Sequence, residues 1–134
     1  MRRKPAQLPT PGELRILQQL WHLGEANVEQ VIASLPGRAK ANYKTVQSVL
    51  RTMEDKGFVA HRRSGRMFLF FPKVTKDVVN NLFVSNLLRQ NFGGSAREAL
   101  VHLLQASSTE KSELESLERL IREFRDKQQE PKSL

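Results

Sequence analysis

The most constraining feature of this chain is a change in the period of its apolar residues. Three blocks in the first half carry apolar side chains at helical spacing: Leu14, Leu17, Leu20 and Trp21, then Val28, Val31, Ile32 and Leu35, then Val46, Val49, Leu50 and Met53. The second and third sets fall at i, i+3, i+4 and i+7, which lines one face of an α-helix. The pattern then becomes extended. Residues 58–62 and 67–71 are apolar, aromatic and β-branched runs separated by Arg63-Ser64-Gly65-Arg66, which predicts a β-hairpin. Helix, helix, helix and hairpin within about 65 residues is the order of a winged helix-turn-helix.

The residues at the element ends agree. Thr10-Pro11 supplies an N-cap and a first-turn proline, Asn27 with Gln30 has capping-box spacing, and Asn42 caps the third helix. Gly24, Pro36-Gly37 and Gly57 are the expected stops.

The second half predicts three more helices and no sheet. Val78, Val79, Leu82, Phe83, Leu87 and Leu88 form a stripe after Thr75, ended by Asn91-Phe92-Gly93-Gly94. Ser95, with Glu98 three residues on, starts a helix carrying Ala99, Leu100, Leu103 and Leu104. After Ser107-Ser108-Thr109, the residues Leu114, Leu117, Ile121 and Phe124, with Leu120 beside them, approach an a/d seam. At roughly 25 cal/mol per Å² of apolar area, such stripes are too costly to leave in water. They dock on the first half or on a second copy. A two-fold dimer is the commonest oligomer, and the expectation is a homodimer formed through Val79, Leu82, Phe83, Leu87, Leu100, Leu104, Leu114, Leu117, Ile121 and Phe124. The expected fold is mainly α. A disordered basic arm (1–9) leads into a winged-helix domain (10–73), then a helical dimerisation region (74–127) and a frayed tail (128–134).

Charge divides along the same line. Residues 1–73 hold 13 Lys or Arg against 5 acids, whereas residues 74–134 hold 9 of each, so the net +8 belongs to the first half. A basic module beside a neutral one suggests a polyanion partner. The third helix sharpens this. Its buried positions leave Lys44, Thr45, Gln47, Ser48, Arg51 and Thr52 outward, with no acid before Glu54. An ordinary exposed face mixes signs to gain i,i+4 pairs. Cationic, amide and hydroxyl groups reach base edges and phosphates, and a recognition helix presents them from its N-terminal turns. Glu54 and Asp55 come late and are expected to lie away from a duplex. Lys40 in the basic loop before this helix is a phosphate candidate. So are Arg62, Arg63 and Arg66 at the hairpin tip, with His61 at its edge; a wing inserts such residues beside the minor groove.

Other classes lack their residues. There is no cysteine, hence no disulfide, thiolate metal site or cysteine nucleophile. His22, His61 and His102 fall in separate elements, and no phosphate loop or G-x-S-x-G occurs. No enzyme activity, metal or cofactor is expected. The longest apolar run, 67–72, is far below a membrane span. No apolar stretch follows Arg2, Arg3 and Lys4, so a cytoplasmic, bacterial protein is expected.

Residues 14–72 resemble the N-terminal domain of the penicillinase-repressor (BlaI/MecI/CopY) family of bacterial transcriptional repressors. The resemblance rests on GELRILQQLWHLGEANVEQVIASLP and NYKTVQSVLRTMEDKGFVAHRRSGRMFLFFPKV, and more loosely on ALVHLL and ELESLERLI. It implies a homodimer on a palindromic promoter operator. Its DNA-contacting helix falls on Tyr43, Lys44, Thr45, Ser48 and Thr52, and its wing on residues 63–66. In antibiotic-responsive members a membrane sensor's signal leads to cleavage at an Asn-Phe bond in the dimerisation region; the matching position here is Leu103-Leu104, a departure from that pattern. Copper-responsive members carry C-terminal cysteines, which this chain lacks. The inducing signal, an upstream protease or a ligand, stays open. Two alternatives to a sequence-specific repressor are a winged-helix protein-interaction adaptor and a non-specific architectural DNA binder.

Overall fold

A computed structural model describes residues 7–37 and 42–129. Lys40, most of the expected basic arm and the last five residues of the tail lie outside the described residues. The elements are α1 (Pro11–Leu23), α2 (Val28–Ser34), α3 (Tyr43–Lys56), β1 (Val59–Ser64), β2 (Met67–Pro72), α4 (Lys76–Asn91), α5 (Ala96–Ala106) and α6 (Lys111–Gln129). The protein is mainly α with one antiparallel hairpin.

The helix ends form as local chemistry dictates. Thr10 Oγ1 accepts from Glu13 N at 3.1 Å while Thr10 N donates to Glu13 Oε1 at 2.9 Å, with Pro11 opening α1. Asn27 and Gln30 make the same reciprocal pair at α2, each bond 2.8 Å long. Asn42 Oδ1 accepts from Thr45 N at 2.8 Å. Gly57 closes α3 at φ 91°, a left-handed conformation that favours glycine. The hairpin strands and the end of α2 differ from the sequence expectation, with β1 starting at Val59 and β2 reaching Pro72. α2 stops at Ser34, because Leu35 precedes Pro36 and is driven to an extended conformation (φ −72°, ψ 147°). β1 runs two residues further than expected, and Ser64 pairs with Met67 across the two-residue loop Gly65-Arg66. Gly65, at φ 63°, supplies the positive φ that so tight a hairpin loop requires.

The chain separates into two compact units, residues 1–86 and 87–134. The first has a single core. Leu17 and Leu20 from α1, Val31 from α2, Leu50 and Met53 from α3, and Phe58 and Val59 at the hairpin base are fully buried. Ala26, between α1 and α2, adds a bridge to the hairpin: its N–H donates to Phe70 O at 2.9 Å and its carbonyl accepts from Phe70 N at 2.8 Å. Trp21 Nε1 donates to Val74 O at 2.9 Å.

The start of α4 belongs to this core. Val79 is fully buried within it, and Val74 and Phe83 pack against it. Val79 is therefore not available to a second copy. Its burial carries the first compact unit beyond the boundary expected at 73/74.

The second unit holds the end of α4, α5 and α6. Ser95 Oγ accepts from Glu98 N at 3.1 Å, so Ser95 caps α5 as expected. The rings of Phe92 and His102 lie 5.5 Å apart. No residue of α5 or α6 is buried, and Leu103, Ile121 and Phe124 are more than half exposed. No helix among the described residues is long and apolar enough to cross a membrane.

Candidate nucleic-acid interface

α3 is held by one face and open on the other. Val46, Leu50 and Met53 are buried in the core. Tyr43, Lys44, Thr45, Ser48, Arg51 and Thr52 are exposed and Gln47 is half-buried. Over the first three turns of this open face there is no carboxylate. Lys44, Arg51 and Arg66 have no ion-pair partner among the described residues.

The wing and α3 enclose a cleft of about 660 Å³. Tyr43, Gln47 and Arg51 line it from α3, and His61, Arg66, Met67, Phe68 and Phe70 line it from the hairpin. Of the residues expected to contact DNA, Tyr43, Gln47, Arg51 and Arg66 thus share one cleft, whereas Lys44, Thr45, Ser48 and Thr52 lie on the exposed surface outside its lining.

The three wing arginines differ from one another. Arg66 occupies the hairpin loop. Arg63 places its guanidinium 5.5 Å from the Phe68 ring centroid, a cation–π geometry, and its Nε donates to Gly65 O at 3.4 Å. Arg62 is engaged by Glu25: Nε donates to Oε1 at 2.9 Å and Nη2 to Oε2 at 2.6 Å. That hydrogen bonding holds the Glu25 carboxyl below its ordinary range and raises the Arg62 guanidinium above its own.

Glu54 and Asp55, expected from their late position to lie away from a duplex, instead line this cleft beside Gln47 and Arg51, because the last turn of α3 still runs along the hairpin; Glu29, for which the sequence carries no signal, joins them. Glu54 has both carboxylate oxygens 2.9 Å from His61 Nδ1, so it ties α3 to β1. The His61 ring lies 5.0 Å from that of Phe68 and 5.4 Å from that of Phe70. Met67 and Phe68 are exposed, at 47% and 42%. Strand alternation could have flagged Phe68: it shares a face with Phe70, whose side chain is in the core, yet lies nearer the tip. No group of three or more potential metal ligands occurs among the described residues.

The sequence matches the penicillinase repressor family over residues 9–123. The penicillinase repressor of Bacillus licheniformis is 21% identical over 119 residues, spanning 89% of this chain and 93% of that protein. Among solved structures, the "Possible transcriptional regulator for arsenical resistance" superimposes with a TM-score of 0.51 at 25% identity, over 75% of this chain and 90% of that one. The DNA-binding domain of the repressor BlaI gives a TM-score of 0.47 at 26% identity, over 57% of this chain and 90% of that one. With a match running from before α1 into α6, the chain belongs to the penicillinase repressor family of DNA-binding transcriptional repressors.

Proposed function

We propose that this repressor binds a palindromic promoter operator as a homodimer in the bacterial cytoplasm and blocks transcription by occupying the promoter. The observation that carries the reading is the open face of α3, free of carboxylates over its first three turns and anchored by Val46, Leu50 and Met53. Each subunit places α3 in the major groove, the two copies about one helical turn, roughly 34–36 Å, apart. Thr45, Gln47, Ser48 and Arg51 meet base edges; Lys44, Lys40, Arg63 and Arg66 meet phosphates; Tyr43 and Thr52 flank them. The wing lies beside the adjacent minor groove.

The dimer forms through apolar side chains of α4, α5 and α6, of which Leu87, Leu114, Ile121 and Phe124 are exposed in the single chain and Leu82, Leu100, Leu104 and Leu117 are half-buried. The exposure of the first four supports this, as does the cost of leaving them in water. Loss of the dimer releases DNA, because two linked half-sites act through effective concentration. The protein performs no catalysis in this reading.

Selection of bound duplexes from a random-sequence pool, followed by footprinting and a salt titration, tests it. The expected result is a two-fold symmetric site whose affinity falls steeply with salt. Equal affinity for every duplex would instead indicate an architectural binder. Absence of any salt-sensitive duplex binding would reject the DNA-binding reading.

A further inference from the structure

The wing is tied to the rest of its unit by a side-chain pair spanning β2. Glu25 precedes Ala26, which pairs with Phe70 on the edge of β2 that β1 leaves free. Arg62 lies in β1, on the other side of β2, opposite Leu69. The two bonds from Nε and Nη2 to the Glu25 oxygens, 2.9 and 2.6 Å, are the two-pronged arrangement that fixes geometry as well as charge. On the opposite face of β1, where strand alternation puts His61, Glu54 of α3 holds the imidazole at 2.9 Å. A two-stranded hairpin is marginal alone, and this one is gripped from both faces by acids.

Resting on the DNA-binding reading above, we infer that Glu25 and Arg62 are positioning residues: the pair sets the angle of the wing, and Arg62 neutralises no phosphate. A guanidinium already matched by a carboxylate is net neutral and releases no counterion when DNA arrives. Turning it toward a phosphate would strand the Glu25 carboxylate beside a polyanion. A simple electrostatic expectation runs the other way: deleting an acid from a DNA-binding unit tightens binding.

The test uses the full chain and the duplex recovered by selection, with Glu25→Gln, Arg62→Gln, the double variant and Arg66→Gln compared at several salt concentrations. Each of the first two is expected to weaken binding about two- to fivefold, the range of an exposed ion pair. The double variant should bind no worse than either single one, because both remove the same ion pair. Their salt slopes should equal the wild type's, whereas Arg66→Gln should flatten the slope by about 0.9 for each phosphate that goes unneutralised. Hydroxyl-radical protection at the wing should weaken in Glu25→Gln, which removes no cation. Measurement well below each variant's thermal midpoint separates these effects from unfolding. Unchanged or tighter binding by Glu25→Gln overturns the inference, as does an Arg62→Gln slope flattened like that of Arg66→Gln. A wild type without salt-sensitive duplex binding overturns the DNA-binding reading and this inference with it.

Discussion

Replacing Lys56 by Met should destabilise the first unit far more than replacing its partner Glu13 by Gln. Glu13 sits in the first turn of α1 with its side chain 5% exposed, and Lys56 ends α3 with 26% exposure. One carboxylate oxygen accepts from Thr10 N and the other from Lys56 Nζ, both at 2.9 Å. Lys56→Met strands a carboxylate in a site closed to water. Removing one partner of a buried pair costs about 3–5 kcal/mol. The partial exposure of Lys56 admits some solvent and reduces this to roughly 2 kcal/mol. For a unit of this size that lowers the thermal midpoint by about 8–16 °C. Glu13→Gln keeps an oxygen for Thr10 N, since glutamine also closes a capping box, and leaves an ammonium that still reaches water. Its cost should stay below about 1 kcal/mol. The double variant should resemble Glu13→Gln, because the stranded charge is gone. Urea unfolding followed by circular dichroism measures all three, and the DNA affinity of the double variant, whose net charge is unaltered, should not change well below its midpoint. A cost for Lys56→Met no greater than that for Glu13→Gln would refute the account of the carboxylate as the group at risk.

Three further outcomes follow from the interface. Arg51→Ala should cost about 1–3 kcal/mol on the selected duplex and relax preference at one base position; an equal loss on random duplex would show that it reads no base. Replacing Arg63 and Arg66 together should weaken binding to both kinds of duplex and flatten the salt slope, and an unchanged slope would remove the wing from the phosphate contacts. Ile121→Asp puts a charge at a position already 54% exposed in the single chain, so helix content should survive while light scattering reports monomers; dimers persisting at micromolar concentration would exclude that helix face as the seam.

The elements legible in the sequence are those specified locally. α1 and α3 announce themselves by cap, apolar spacing and terminal glycine, all within one helix length. The hairpin is legible from its glycine turn, although its extent is not, because strand length depends on how far the ladder continues once the turn is tight. What sequence patterning misses is non-local. The Ala26–Phe70 bridge is a backbone pairing through an alanine that belongs to no periodic stripe. The Glu13–Lys56 and Glu25–Arg62 pairs join residues 43 and 37 positions apart. α4 is a different failure: Val78, Val79, Leu82, Phe83 and Val84 nearly encircle the helix, so spacing alone does not choose the buried one. Packing chooses Val79, which is fully buried, and leaves Val84 54% exposed.

These pairings also change what the basic balance of the first half means. Of its five acids, Glu13, Glu25 and Glu54 each lie within 2.9 Å of a basic nitrogen, on Lys56, Arg62 and His61 respectively. The net charge still sets the long-range field, because attraction at a distance depends on the sum and not on the partners. Contact is different. Counterion release counts cations that meet phosphates, and Lys56 and Arg62 are already committed to carboxylates. Encounter rate should therefore follow the full +8 of the first half, while the salt slope of the bound state should follow the smaller set led by Lys44, Arg63 and Arg66. Neutralising Lys56 together with Glu13 leaves both quantities where they were; neutralising Lys44 lowers both. A salt slope that dropped equally for these two changes would mean that every basic residue of this half contributes alike, and that the geometry of its acid pairs is irrelevant to binding.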